Sequence, residues 1–127
     1  MPSDRTRQWL GDIVENCARI ERHVAGMSEE SYRADEKTRD AVERCLERIC
    51  EAAVRLKAQE RLEKGAPLLE RLYPDVDWIA VRALGNVLRH RYDAIDDDLI
   101  WRAIADKLTP LANAARREIA RLGRRRS

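Results

Sequence analysis

The chain has 127 residues, 44% hydrophobic and 38% charged, with five Gly, four Pro and no Phe. That length suits one buried core rather than two, and the composition excludes collagen-like, low-complexity and disulfide-scaffold classes. The net charge of +2 excludes a strongly basic coat for nucleic acid, but the charge is uneven, being −1 over residues 1–74, −3 over 75–98 and +6 over 99–127.

A first helix is expected after Ser3 or Asp4, either of which suits an N-cap. It places Trp9, Leu10, Ile13, Val14, Cys17, Ile20 and Val24 at three- and four-residue steps before Gly26. A single turn capped by Ser28 precedes a long second pattern from near Asp35 to about Arg61, in which Val42, Cys45, Leu46, Ile49, Cys50, Ala53 and Leu56 share one face. Gly65 and Pro67 break it, and Leu68, Leu69 and Leu72 suggest a short helix that ends at Tyr73 and Pro74. Asp75 is expected to cap the next helix, which runs through Trp78, Val81, Leu84 and Leu88 to about His90. The last helix begins at Asp96 or Asp97 and ends at Gly123, with a kink or local break at Pro110.

No segment alternates with period two over a useful length, so the expected fold is all-α. It is an antiparallel bundle of four major helices plus one or two short ones, forming a single domain over residues 1–122 with a basic, frayed tail at 123–127. No run of about 18 uncharged apolar residues occurs, and Asp12 and Glu15 fall where a leader peptide would be apolar. A cytoplasmic protein with no membrane partner is the expectation. Cys17, Cys45 and Cys50 match no metal motif. On a helix Cys45 and Cys50 lie about 140° apart, so the three read as buried thiols and no metal or cofactor is expected.

The segment around His90 is chemically the richest. Stepping about 100° per residue from Trp78, Arg89 falls near 20°, Arg82 near 40°, Asn86 near 80° and His90 near 120°, with only Ile79 intruding on the polar sector. Imidazole moves protons near neutral pH, and guanidinium stabilises charge on a phosphorane. RNA supplies its own 2′-hydroxyl nucleophile, so these groups suit metal-free RNA cleavage. The same pattern also fits a solvated structural face. Arg116, Arg117 and Arg121 offer phosphate contacts for RNA, or serve as a basic last stretch that complements the helix dipole.

The run DWIAVRALGNVLRHRYDAIDDDLIW, together with DAVERCLERICEAA at residues 40–53, resembles the HepT-like family of the HEPN superfamily. These are small helical toxins that act beside a Mnt-type nucleotidyltransferase antitoxin. The family marker is an Arg, usually followed by Asn, then His four to six residues after the Arg, then any residue and Tyr. Asn86, His90, Arg91 and Tyr92 match it, and Trp101 matches the aromatic after the acidic stretch. The resemblance implies a homodimer whose Arg and His strips meet in a groove for RNA. In that groove His90 is general acid or base, Arg89 and Arg82 bind the scissile phosphate, and Asn86 orients it. It also implies neutralisation by AMP transfer to Tyr92.

The commonest spacing puts the family's Arg at the position of Gly85. Arg89, one turn later and on nearly the same face, is the nearest substitute. The alternative is a non-catalytic dimer of the same fold that binds a nucleotidyltransferase partner or a nucleotide.

Overall fold

A computed structural model of the chain describes residues 4–63, 68–89 and 95–126, less the side chains of residues 89, 95, 96, 125 and 126. The described residues form six helices: α1 (Asp4–Val24), α2 (Glu29–Ala34), α3 (Glu36–Leu62), α4 (Leu69–Leu72), α5 (Trp78–Arg89) and α6 (Ile95–Arg126). Four are long and two short, and no strand occurs among the described residues, so the all-α expectation holds.

Local chemistry explains most of the boundaries. Gly26 takes a left-handed φ of 77° just past α1, a conformation that costs glycine nothing. Ser28 forms a capping box with Ser31, whose N–H donates to Ser28 Oγ at 3.1 Å while Ser28 N–H donates to Ser31 Oγ at 2.9 Å. Asp35 caps α3 by accepting from the Thr38 N–H at 3.0 Å and the Thr38 hydroxyl at 2.8 Å.

Two boundaries differ from expectation, and of the two expectations at Pro110 the break is absent. Asp77, not Asp75, caps α5, and its Oδ1 accepts from the Ala80 N–H at 3.1 Å. Asp75 is instead exposed in the turn that Val76 N–H closes on the Tyr73 carbonyl at 3.2 Å. Pro110 does not interrupt α6. The carbonyl that loses its partner there belongs to Asp106, at an exposed position where water can replace the bond. Gly123 does not stop α6 either, because it has no positive φ and the helix runs on to Arg126.

α1 packs on both α3 and α6, α3 carries α5 on its other side, and α2 touches α3 and α6. Leu10, Ile13, Cys17 and Ile20 of α1 meet Val42, Leu46 and Ile49 of α3 and Leu111, Ala115 and Leu122 of α6, all 1% exposed or less, in one continuous core. α1 runs against α6, since Arg7 near its start donates to the Leu122 carbonyl near the end of α6 at 3.1 Å. α5 also runs against α6, with Asp77 beside Lys107 at 3.4 Å and Ala80 to Val87 facing Lys107 back to Leu99 across a cleft.

The acidic run that opens α6 is largely neutralised within the bundle. Arg33 pairs with Asp98, and Arg39 stands 3.8 Å from the buried Asp97. The fully buried Tyr32 ring, 5.2 Å from Trp101, holds α2 against the same turn.

Candidate active site on the fifth helix

α5 is amphipathic in the way its sequence suggests. Trp78, Val81 and Leu84 are 7% exposed or less and face the core, whereas Ile79 is 71% exposed and stands in the polar sector. The helix is anchored at two levels. At its start, Trp78 Nε1–H donates to the Tyr73 carbonyl at 3.1 Å. At mid-length, the Cys50 thiol of α3 donates to the Arg82 carbonyl at 3.1 Å and accepts from the Gly85 N–H at 3.2 Å. Gly85 is buried at this contact. The two sulfur bonds bring α5 and α3 together at the point where the polar strip begins, and a buried cysteine here is a structural fastener.

Of the strip, Arg82 and Asn86 lie one turn apart on α5. Asn86 is exposed, while Arg82 is half-buried and held by Glu70, with Nη2 at 2.6 Å from Oε1. The Arg82 hydrogen bond holds the Glu70 carboxyl below the usual carboxylate range, with Lys57, 3.4 Å away, adding to the effect. Arg82 is therefore already engaged by a carboxylate, and phosphate must compete with Glu70 for it. Arg89 closes α5, its side chain lying outside the described residues, as do His90 and Tyr92.

The C-terminal arginines stand elsewhere. Arg121 grips Glu118 with Nε and Nη2 both at 2.7 Å, Arg117 lies 5.4 Å over the Tyr73 ring, and Arg116 is exposed, 3.4 Å from Asn113. Leu99 lines the cleft with Val87, and Arg117 is 18 residues further along α6, so at 1.5 Å per residue it lies about 27 Å down the axis. Within the chain this distance separates the cluster from the end of α5, and an RNA strand touching both must run along more than half of α6.

Sequence reasoning missed the network that fixes the entry to α5. Glu118 is fully buried, accepts the Tyr73 hydroxyl at 2.8 Å and is locked by Arg121. Burial first, and then the bond to Glu118, push the Tyr73 phenol up to about 12. A signal was present, because Glu118 occupies the apolar series Leu111, Ala115, Glu118, Leu122, with an arginine three residues on. A charge inside such a stripe asks for a buried partner.

The family model described as "Ribonuclease HepT-like" matches residues 13–118. The chain belongs to the ribonuclease HepT-like family. A Methanocaldococcus jannaschii protein named as a putative RNase is 32% identical over 108 residues, covering 85% of this chain and 82% of that protein. The "Probable ribonuclease HepT" of Thermococcus cleftensis is 27% identical over 105 residues, covering 83% of this chain and 87% of its own length. No solved structure matches the chain. The HepT-like match spans α3, α5 and the intervening Glu70, so every described residue of the strip lies within it. Among the described residues of this HepT-like chain, no helix is long and apolar enough to cross a membrane.

Proposed function

We propose that this HepT-like protein is a metal-independent endoribonuclease, the toxin of a pair with a Mnt-type nucleotidyltransferase antitoxin. Membership of a ribonuclease family over residues 13–118 carries the proposal, with the polar strip of α5 as the reacting surface. In the reaction the RNA 2′-oxygen attacks the adjacent phosphorus, the bond to the 5′-oxygen breaks, and a 2′,3′-cyclic phosphate forms. His90 serves as general acid or base, taking the 2′-hydroxyl proton or protonating the departing 5′-oxygen. Arg89 and Arg82 stabilise charge on the phosphorane, and Asn86 orients it by hydrogen bonding to a non-bridging oxygen. Arg116, Arg117 and Arg121 hold flanking RNA.

A homodimer suits this chemistry, because one strip carries a single imidazole whereas two facing strips supply both an acid and a base. The apolar cleft of about 210 Å³ between α5 and α6, with Ala83, Val87 and Leu99 on its walls, supports such pairing, and Leu99 is 49% exposed. Control by the antitoxin follows the family pattern. The Tyr92 phenolic oxygen attacks the α-phosphorus of ATP held by the partner, pyrophosphate leaves, the phenolic proton is released, and AMP remains on the ring.

Incubation of the purified protein with RNA in the presence of a chelator tests the proposal. Fragments ending in 2′,3′-cyclic phosphate are expected, and intact RNA at high protein concentration overturns it. A second reading, a non-catalytic dimer that binds the nucleotidyltransferase or a nucleotide, is favoured by two observations: Gly85 stands at the family's Arg position, and Arg82 is tied to Glu70 at 2.6 Å. A Gly85→Arg variant that gains cleavage over an inert wild type selects that reading.

A further inference from the structure

A groove of about 590 Å³ opens between α1, α3 and α5, within the range of roughly 300–1,000 Å³ typical of small-ligand sites. Trp9 and Asp12 of α1 form one wall, Arg48 and its neighbours on α3 the other, and the groove reaches α5 at Gly85. Gly85 precedes Asn86 in sequence and falls near 340° on the helical wheel, just outside the polar sector, so the groove meets α5 on the flank of the proposed reacting surface.

Three features mark this groove off from an ordinary solvated face. Trp78 is 4% exposed and Trp101 packs on Tyr32, but Trp9 is half-buried and brings a large π surface to a groove wall. The other two arginines of the α3 wall are engaged, Arg44 by Glu47 at 3.1 Å and Arg55 by Glu51 at 2.7 Å, whereas Arg48 has no carboxylate partner among the described residues. Asp12 likewise makes no ion pair among the described residues, and at three residues from Trp9 it lies one turn along the same face of α1. Arg48 does reach the Cys45 thiol, but an aromatic ring, a guanidinium with no carboxylate partner and a carboxylate with no ion pair match the three parts of a nucleotide: base face, phosphate and exocyclic amine.

We infer that this groove seats one nucleotide of single-stranded RNA beside the cleavage site, its base stacked on Trp9 and its phosphate held by Arg48, with Asp12 accepting from a base amino group. The inference rests on the ribonuclease reading and adds a substrate preference to it: cytosine offers Asp12 an amine where uracil offers a carbonyl. The carboxylate repels the uracil O4 and accepts from the cytosine N4.

The test measures binding of fluorescently labelled 2′-O-methyl octamers to the full-length protein by anisotropy at fixed salt, since methylation blocks the attacking oxygen and leaves the strand intact. Base stacking on an aromatic is sequence-tolerant and strong enough that Trp9→Leu is expected to weaken binding about tenfold, with Trp9→Phe within about twofold of wild type. Arg48→Glu lies on an exposed helical face, leaves the fold intact, and is expected to weaken binding by a similar factor. Wild type is expected to prefer oligocytidylate over oligouridylate, and Asp12→Ala to lose that preference. Unchanged affinity in both Trp9→Leu and Arg48→Glu, with wild-type cleavage intact, overturns the inference alone and leaves the groove to a protein partner. A wild type that neither binds nor cuts RNA overturns the ribonuclease reading, and the inference with it.

Discussion

Replacing Glu118 by alanine is expected to destabilise the bundle strongly for the loss of a single polar side chain. The carboxylate is fully buried and accepts three hydrogen bonds, from the Tyr73 hydroxyl at 2.8 Å and from Arg121 Nε and Nη2 at 2.7 Å each. Its removal strands two groups of unequal importance. The Tyr73 side chain is 5% exposed and its hydroxyl cannot reach water without opening the turn, so the unpaired phenol costs about 1–3 kcal/mol. The Arg121 side chain is 29% exposed and swings into solvent, so its share is well below that of a fully buried ion pair. Together with the lost packing, the total is about 2–4 kcal/mol, or a fall in Tm of roughly 8–16 °C for a domain of this size. Thermal unfolding followed by circular dichroism reads it. A double-mutant cycle with Tyr73→Phe is expected to return a coupling energy of about 0.5–3 kcal/mol, because the two groups share one bond. A Glu118→Ala Tm within about 3 °C of wild type refutes the reasoning, since it means that the phenol and guanidinium find other partners at little cost. The consequence reaches the site, because Tyr73 also accepts from the Trp78 indole and so fixes the first turn of α5.

Alkaline pH provides a second check. Burial pushes the Cys17 thiol from its usual 9.0 up to about 12, and Tyr73 rises from 10.0 to about 12. Both groups stay protonated in the folded chain and ionise more readily when it unfolds, so their contribution is fully present below pH 9 and is lost as pH rises towards 12. Denaturant titrations across that window should show a falling stability with a slope of roughly 1 kcal/mol per pH unit for each group, and Cys17→Ala should flatten the lower part of it. Cap removal is a smaller effect: Asp77→Ala is expected to lower stability by about 1 kcal/mol, whereas Asp75→Ala changes it little, and reversal of that order contradicts the cap assignment. Glu70→Gln should release Arg82 and tighten binding of uncleavable RNA by about two- to fivefold at low salt, the gain shrinking as salt rises. No change in affinity would mean that Arg82 does not meet RNA.

The fold was readable because the apolar spacing of α1, α3, α5 and α6 is strong, and because Ser28, Asp35 and Asp77, which cap α2, α3 and α5, are of the residue types that favour caps. The errors arose where two local rules competed. Both Asp75 and Asp77 can cap a helix, and only the turn closed by Tyr73 and Val76 decides between them. Gly123 and Pro110 are ordinary helix breakers, yet α6 continues through both, with its packing on α1 and α2 helping to hold it. At the site, the wheel put Arg82 and Asn86 in one sector, and both lie on α5, but pattern alone could not show that Glu70 holds Arg82 or that Cys50 fastens Gly85. Those partners come from other helices, and single-helix periodicity carries no information about them. His90 and Tyr92, which the family motif singles out, lie outside the described residues, so their roles rest on sequence and family.

The most direct test of the proposed activity is the rate of RNA cleavage in chelator by wild type against His90→Ala, with matched folding confirmed by circular dichroism. If His90 is the general acid or base, the variant should lose about 10²- to 10⁴-fold in rate while binding uncleavable RNA as tightly as wild type. Equal rates in the two proteins would contradict the assignment of the chemistry to the strip at the end of α5.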